Sequence, residues 1–309
     1  MAIQAVCNEV LPGERGTTAP RMNVRDALIL AKPRVTSMIM ITTLLGARFA
    51  SAERGSIFWL DHKLWLTLSG TALLSAGAAT LNQCLEVGTD GLMKRTASRP
   101  LPAGRVQMYQ AVLLGAAFSL SGLAVLFCLP SAAAAVLGLF TSVIYLIAYT
   151  RVKPLSTLAV VPGAIAGALP PVIGYAGLSG TTSPSAWALF LILFYWQFPH
   201  LYAIAWMYQE DYARAGLKML PKNGQSKLAV GRAMLGTFSM LAVATLVPIA
   251  AHLVNHSGLV PVLVLDGIYL ASILAFVRLA TYRVARKVLL VSVLYLPLLI
   301  ALFWLQRIS

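Results

Sequence analysis

Long apolar runs separated by short polar breaks occupy nearly the whole chain. They fall at about 36–52, 64–84, 107–129, 132–149, 156–178, 185–208, 231–252, 259–281 and 288–306. About 20 apolar residues at about 1.5 Å rise each cross a hydrocarbon core, so the pattern predicts nine membrane-spanning helices. The first run is the weakest, because Arg48 interrupts it near its outer end. Ahead of it lies a polar stretch carrying Glu9, Glu14 and Asp26 beside Arg15, Arg21 and Arg25. That stretch lacks both the apolar centre of a signal peptide and the acid-poor character of a transit peptide. The expected organisation is a cytoplasmic N-terminal tail over 1–34 and a polytopic membrane domain over 35–309.

Composition agrees with this all-α membrane class. Of 309 residues 59% are hydrophobic and 11% charged, with mean hydropathy +0.78. A soluble domain carries about 25% charged residues. A net charge of +14 and a pI near 10.1 would ordinarily suggest nucleic-acid binding. Here the cations follow the predicted topology instead. Of the 24 Lys and Arg residues, 20 lie in the N-terminal segment and the loops on the same side of the membrane. Only Arg48, Arg54, Lys63 and Arg307 fall on the other side. By the positive-inside rule the N-terminus faces the cytoplasm and, with nine spans, the C-terminus faces the periplasm of a bacterial inner membrane. Cys7, Cys84 and Cys128 are scattered and support neither a disulfide framework nor a zinc site.

The chain has only ten acidic residues, so their placement is informative. Asn82, Glu86 and Asp90 recur every four residues at the cytoplasmic end of the second span. At about 3.6 residues per turn all three project from one helix face. Carboxylates at a membrane boundary are costly without partners. Mg²⁺ suits such a set, since it is held by one or two carboxylates and keeps positions for substrate phosphates. Ordinary solvation, with Lys94 and Arg95 answering the acids, is the competing reading.

A second acidic pair, Glu210-Asp211, ends the sixth span and is followed by Arg214 and Lys218. Eleven residues make about three helical turns, so His200 is expected on the same face as Asp211, about 16 Å away and deeper in the bilayer. His200 follows Trp196-Gln197-Phe198-Pro199, and a proline in a span kinks it and frees a carbonyl. Intramembrane Gln197 and His200 are candidates for function, against a plain hydrogen bond to a neighbouring helix. Between the acidic clusters, Arg151 and Lys153 stand where cations can meet a diphosphate. Gly163 and Gly167 form a small-residue pair suited to close packing, and Pro170-Pro171 breaks the fifth span midway. The two acid-bearing loops, each after the second span of a four-span block, hint at an internal pseudo-repeat.

Several stretches together resemble the UbiA superfamily of intramembrane prenyltransferases. They are Leu81-Asn82-Gln83-Cys84-Leu85-Glu86 through Asp90, with Arg95-Thr96 and Arg99-Pro100-Leu101-Pro102-Ala103-Gly104-Arg105. Lys32-Pro33-Arg34-Val35-Thr36, Tyr149-Thr150-Arg151-Val152-Lys153 and 163–175 match the family's first span and middle. Trp196-Gln197-Phe198-Pro199-His200, with Asp211-Tyr212, Ala215-Gly216 and Met219-Leu220-Pro221, resembles the protohaem IX farnesyltransferases within it. The resemblance covers about residues 30 to 306. Glu86 stands where superfamily members usually have Asp, and Asp211 has only Glu210 beside it.

The resemblance implies nine helices around a central cavity open to the cytoplasm. It implies farnesyl diphosphate and protohaem IX (haem B) as substrates, the latter not a cofactor, with haem O as product and Mg²⁺ as cofactor. Asn82, Glu86, Asp90 and Asp211 would be the metal-holding and catalytic set. Arg95, Arg99, Tyr149, Arg151, Lys153, Gln197, His200 and Lys218 would bind substrate, with His200 positioning haem. The lipid bilayer and a downstream haem A synthase or oxidase assembly machinery are the other implied partners. Nucleic acid is not expected. The alternatives are prenylation of an aromatic quinone precursor, which has no need of His200, and a secondary transporter with a midplane site. A structural assembly factor for a respiratory oxidase is a third, and it explains neither acidic cluster.

Overall fold

Capping residues set the helix starts in the computed structural model, which describes residues 22–55, 58–153, 155–220 and 226–307. Cys7, Glu9, Glu14, Arg15, Arg21, Pro221 and Lys222 lie outside the described residues. Helix α1 (Val24–Ala31) opens on Asn23, whose side chain accepts from the Asp26 amide. Lys32 then turns the chain with a left-handed φ of 49°, and Pro33 begins α2 (Pro33–Arg54). Asp61 caps α3 (His62–Leu85), Ser183 caps the helix from Pro184, Ser226 that from Lys227, and Thr281 that from Tyr282. Each supplies an oxygen to an amide that lacks a partner within its helix.

The remaining elements are α4 (Val87–Leu92), α5 (Met108–Phe127), α6 (Ala133–Val143), α7 (Val160–Ala168), α8 (Pro170–Ser179), α9 (Pro184–Met207), α10 (Gln209–Arg214), α11 (Lys227–Ala250), α12 (Leu259–Leu279) and α13 (Tyr282–Gln306). Among the described residues, nine helical segments are long and apolar enough to cross a membrane. Their bounds follow the apolar runs read from the sequence to within a few residues, except that the last begins at Tyr282 rather than 288. Hydropathy misses that opening turn and a half because Arg283, Arg286 and Lys287 occupy it. The protein is a multi-pass, all-helical membrane protein.

Two of the spans are compound. The fourth leaves α6 through a π-helical turn, Ile144–Tyr149, and ends at Val152. The fifth is divided at Leu169 into α7 and α8, where Pro170 and Pro171 interrupt the amide ladder as expected. Pro199, in contrast, lies inside an uninterrupted α9.

Packing is closest where side chains are smallest. An added Cβ on Gly46 of α2 would lie 1.8 Å from the Pro171 carbonyl oxygen, and one on Gly174 of α8 would lie 1.9 Å from that of Thr43. The two backbones are therefore in direct contact. The larger apolar core joins α2, α7, α8 and α9 to α11, α12 and α13. A smaller one, around Leu74, Leu126 and Ile173, joins α3, α5, α6 and α8.

Within the segment expected as a tail, α1 is docked. Leu30 is fully buried against Leu101, Val106 and Ala111. Gln83 of α3 donates to the Leu30 carbonyl at 2.8 Å, and Arg105 pairs with Asp26 at 3.1 Å.

Candidate active site

The second span stops being regular one residue before its acids. Glu86 has φ −99° and ψ 6°, and the chain re-enters a helix as α4. Because the Glu86 amide bonds to Asn82 and the Asp90 amide to Glu86, the four-residue spacing survives the break. Asn82, Glu86 and Asp90 are all buried, and each has a cationic neighbour. Lys32 Nζ donates to Asn82 Oδ1 at 3.5 Å, Lys153 Nζ to Glu86 Oε1 at 3.0 Å, and Arg99 to Asp90 Oδ2 at 2.6 Å. Asp90 Oδ1 is buried with no hydrogen-bond partner.

The π-helical turn supplies the opposite wall. Tyr145 and Tyr149 stack at 5.7 Å, and Tyr145 donates from its hydroxyl to Asn82 Oδ1 at 3.1 Å. Asn82 Nδ2 donates to Thr150 Oγ1 at 3.3 Å, and Lys153 Nζ lies 5.1 Å from the Tyr149 ring centre. Such turns often mark functional positions. Here the turn and the residue after it bring one phenol, Tyr145, and one hydroxyl, Thr150, to one asparagine. Burial pushes the Lys32 ammonium down to about 8, with Arg99 adding to the effect and Glu86 and Asp90 opposing it. Burial acts the same way on Lys153, but Tyr149 and Glu86 outweigh it and hold that ammonium above the usual lysine range.

The second acidic segment repeats this design. Tyr208, with φ −114° and ψ 25°, breaks the helix after α9, and the six-residue α10 carries Asp211, much as α4 carries Asp90. Asp211 pairs with Arg214 and accepts weakly from the Lys94 and Arg95 amides, both at 3.4 Å. Arg95 itself is exposed, with its guanidinium 5.3 Å from the Tyr208 ring. The Lys218 amide donates to the Lys153 carbonyl at 3.2 Å, while the Lys218 residue is exposed. These links place α10 beside the loop following α4, and the segment after α10 beside the end of the fourth span.

His200 and Asp211 fall on separate helices, α9 and α10, joined through Tyr208. His200 turns to α13, with Nδ1 2.7 Å from Ser292 Oγ and its ring stacked on Trp196 at 4.9 Å. Gln197 faces α7, donating to the Ala164 carbonyl at 3.1 Å. A Cβ on Gly167 would meet Gln197 Oε1 at 2.3 Å, and one on Gly163 would meet the Tyr149 ring at 3.0 Å. The glycine pair thus makes room for two of the expected substrate-binding side chains.

Asn82, Glu86, Asp90, Arg99, Tyr149 and Lys153 form one connected set. Asp211 and Arg95 form an adjacent one, and Gln197 and His200 lie apart from both. Arg151 is exposed beside the first set. Among the described residues, no three His, Cys, Asp or Glu are close enough to hold one ion, and Glu86, Asp90 and Asp211 are each paired with a cation. Lys32, Tyr145 and Thr150 were missed as site residues by sequence reasoning. Tyr145 stands four residues before Tyr149, which was a usable signal; nothing local points Lys32 at Asn82.

Two clefts open at this end. One, of about 480 Å³, is lined by Lys94, Trp206, Tyr208, Asp211, Arg214 and Tyr282 among others. The other, of about 240 Å³, runs beside Tyr212, Leu217, Lys218 and Met219. Asn82, Glu86 and Asp90 line neither.

Comparisons with known proteins agree with this architecture. The sequence profile of the UbiA prenyltransferase family matches residues 39–305. The chain is similar to the protoheme IX farnesyltransferase of Solibacter usitatus (strain Ellin6076), at 40% identity over 92% of this chain and 99% of that one. It is also similar to the protein of the same name from Koribacter versatilis (strain Ellin345), at 36% identity over 92% and 94%. Among solved structures, a digeranylgeranylglyceryl phosphate synthase superposes with TM-score 0.75 at 15% identity, covering 92% of this chain and 98% of that one. A UbiA homologue from Archaeoglobus fulgidus bound to DMAPP and Mg²⁺ superposes with TM-score 0.57 at 17% identity, covering 90% and 99%. Matched along most of its length by the profile and nearly end to end by these relatives, the chain belongs to the UbiA prenyltransferase family.

Proposed function

We propose that the protein transfers a farnesyl group from farnesyl diphosphate to a vinyl group of protohaem IX, giving haem O. The observation that carries this reading is the identity of 36–40% to protoheme IX farnesyltransferases over nearly their whole length. The acid and cation set at one end of the bundle supports it chemically. An allylic diphosphate has an anionic head for such a rim and an apolar tail for the interior. That rim is the end on which the positive-inside rule places the cytoplasm. Prenylation of a quinone precursor gives no role to His200, and a transporter would place its polar site at the midplane.

The donor set suits Mg²⁺, being all oxygen, and the unpartnered Asp90 Oδ1 is the kind of atom that invites a hard cation. Asn82, Glu86 and Asp90 would hold it, with Asp211 reaching in from α10. When bound, the ion neutralises diphosphate charge as the allylic C–O bond breaks. Arg99 and Lys153 then exchange a carboxylate for a phosphate oxygen and bind the leaving group, with Arg95, Arg151 and Lys218 at the rim. Tyr145 and Tyr149 wall the site with aromatic surface and keep water from the allylic carbon. The vinyl π electrons form the new C–C bond. Water then adds its oxygen to the adjoining carbon and releases a proton, while diphosphate departs.

The test is haem analysis by mass spectrometry. Membranes containing the protein, supplied with protohaem, farnesyl diphosphate and Mg²⁺, should accumulate the farnesyl-hydroxyethyl product, and excess chelator should abolish it. Product formed at full rate in chelator would remove the metal from the mechanism. Prenylated quinone precursor in place of haem O would replace the acceptor.

A further inference from the structure

The hydrogen bonds around Ser292 determine which nitrogen of His200 is available. Ser292 lies fully buried on α13, and its hydroxyl has one hydrogen to give. Its oxygen stands 2.7 Å from the Leu289 carbonyl and 2.7 Å from His200 Nδ1. A carbonyl can only accept, so the hydroxyl hydrogen is used there. Ser292 Oγ must then accept from the His200 ring, which places the imidazole proton on Nδ1 and leaves Nε2 with a free lone pair.

The ring is held as well as oriented. Trp196 stacks on it at 4.9 Å with a 25° interplanar angle, and Trp196 Nε1 donates to the Ser292 carbonyl at 2.9 Å. Both rings are thus anchored to one residue of α13, and His200 is only half-buried. A neutral imidazole with Nδ1 tied back and Nε2 free is the arrangement that ligates a metal centre.

We propose that Ser292 is a positioning residue that fixes the Nδ1–H tautomer of His200, so that Nε2 ligates the iron of the haem substrate. This rests on the reading of protohaem as acceptor. It adds the ligating atom and the residue that selects it. Ser292→Ala tests it selectively, because it removes only the hydroxyl and leaves the backbone carbonyl that anchors Trp196.

The experiment titrates purified full-length protein with ferric protohaem and follows the Soret band and the electron paramagnetic resonance spectrum. Binding of a non-hydrolysable farnesyl diphosphate analogue reports folding. Wild type should show an imidazole-ligated spectrum. His200→Ala should lose it and regain it with added imidazole. Ser292→Ala should keep an imidazole ligand but bind haem about tenfold to a hundredfold more weakly, as loss of a supporting hydrogen bond does elsewhere. Ser292→Thr, which retains a hydroxyl, should recover affinity. All variants should bind the diphosphate analogue as wild type does.

An unchanged haem affinity in Ser292→Ala would overturn the role of Ser292. A wild-type spectrum without imidazole ligation, in a protein that still makes haem O, would overturn iron ligation and leave the proposed function standing. If the wild type neither binds nor converts haem, the acceptor assignment itself falls.

Discussion

Asp90 has one carboxylate oxygen on Arg99 and the other buried without a partner. Replacement by asparagine keeps the shape, removes the charge and releases Arg99. If that charge contributes about 3–4 kcal/mol to the transition state, the single-turnover rate of Asp90→Asn should fall roughly 10²–10³-fold. Haem binding should stay within twofold of wild type, because His200 lies apart. Rapid quench with labelled farnesyl diphosphate measures the first quantity, and a full rate would remove Asp90 from the chemistry. The line from Asn82 through Glu86 to Asp90 was legible in the sequence because helical spacing is a local property. Lys32 on Asn82 and Ser292 on His200 were not, since each contact joins helices far apart in the chain. The division between α9 and α10 was not legible either, since a single non-helical residue, Tyr208, leaves no mark in the sequence pattern.

Among the elements, α2 and α8 are joined backbone against backbone at Gly46 and Gly174. No rotamer change can relieve a Cβ placed 1.8 Å from a carbonyl oxygen. Overpacking of this kind costs about 1–3 kcal/mol where side chains can adjust, and more where they cannot. Gly46→Ala should therefore lower the thermal midpoint in detergent by several degrees at least. Gly236→Ala, in α11 with nothing within 4 Å of the added carbon, should leave it unchanged or slightly raised. Differential scanning fluorimetry compares the two, and equal midpoints would mean that the helices separate without cost. Hydropathy found these spans but not their joints. The π-helical turn at Ile144–Tyr149 leaves no mark in an apolar run, although it carries Tyr145 to Asn82 and Tyr149 to Lys153. The two prolines after Leu169 did mark their break, because a missing amide hydrogen is written in the residue itself.

For the whole molecule, the bias of 20 cations against four predicts an orientation that can be measured. A reporter fused after Ser309 should be periplasmic, and one inserted near Asn223 cytoplasmic. A cytoplasmic reporter at Ser309 would reverse the assignment of both faces. The membrane fold was legible end to end because the bilayer imposes one length and one composition on every span. The docking of α1 was not, since Leu30 and Leu101 form an apolar contact too small to stand out in a polar segment.

The pairing of every site carboxylate with its own cation has a consequence for how ligands arrive. With the proposed ligand set, a metal ion entering alone would displace Arg99 and Lys153 and leave them stranded. A diphosphate entering alone would draw those same arms away and strand Asp90 and Glu86. Neither exchange is favourable, since a buried charge without its partner is costly. Together they complete a swap in which nothing is left over. On the proposed ligand set the resting site would act as a coincidence detector, in which each ligand raises the affinity for the other by the same factor.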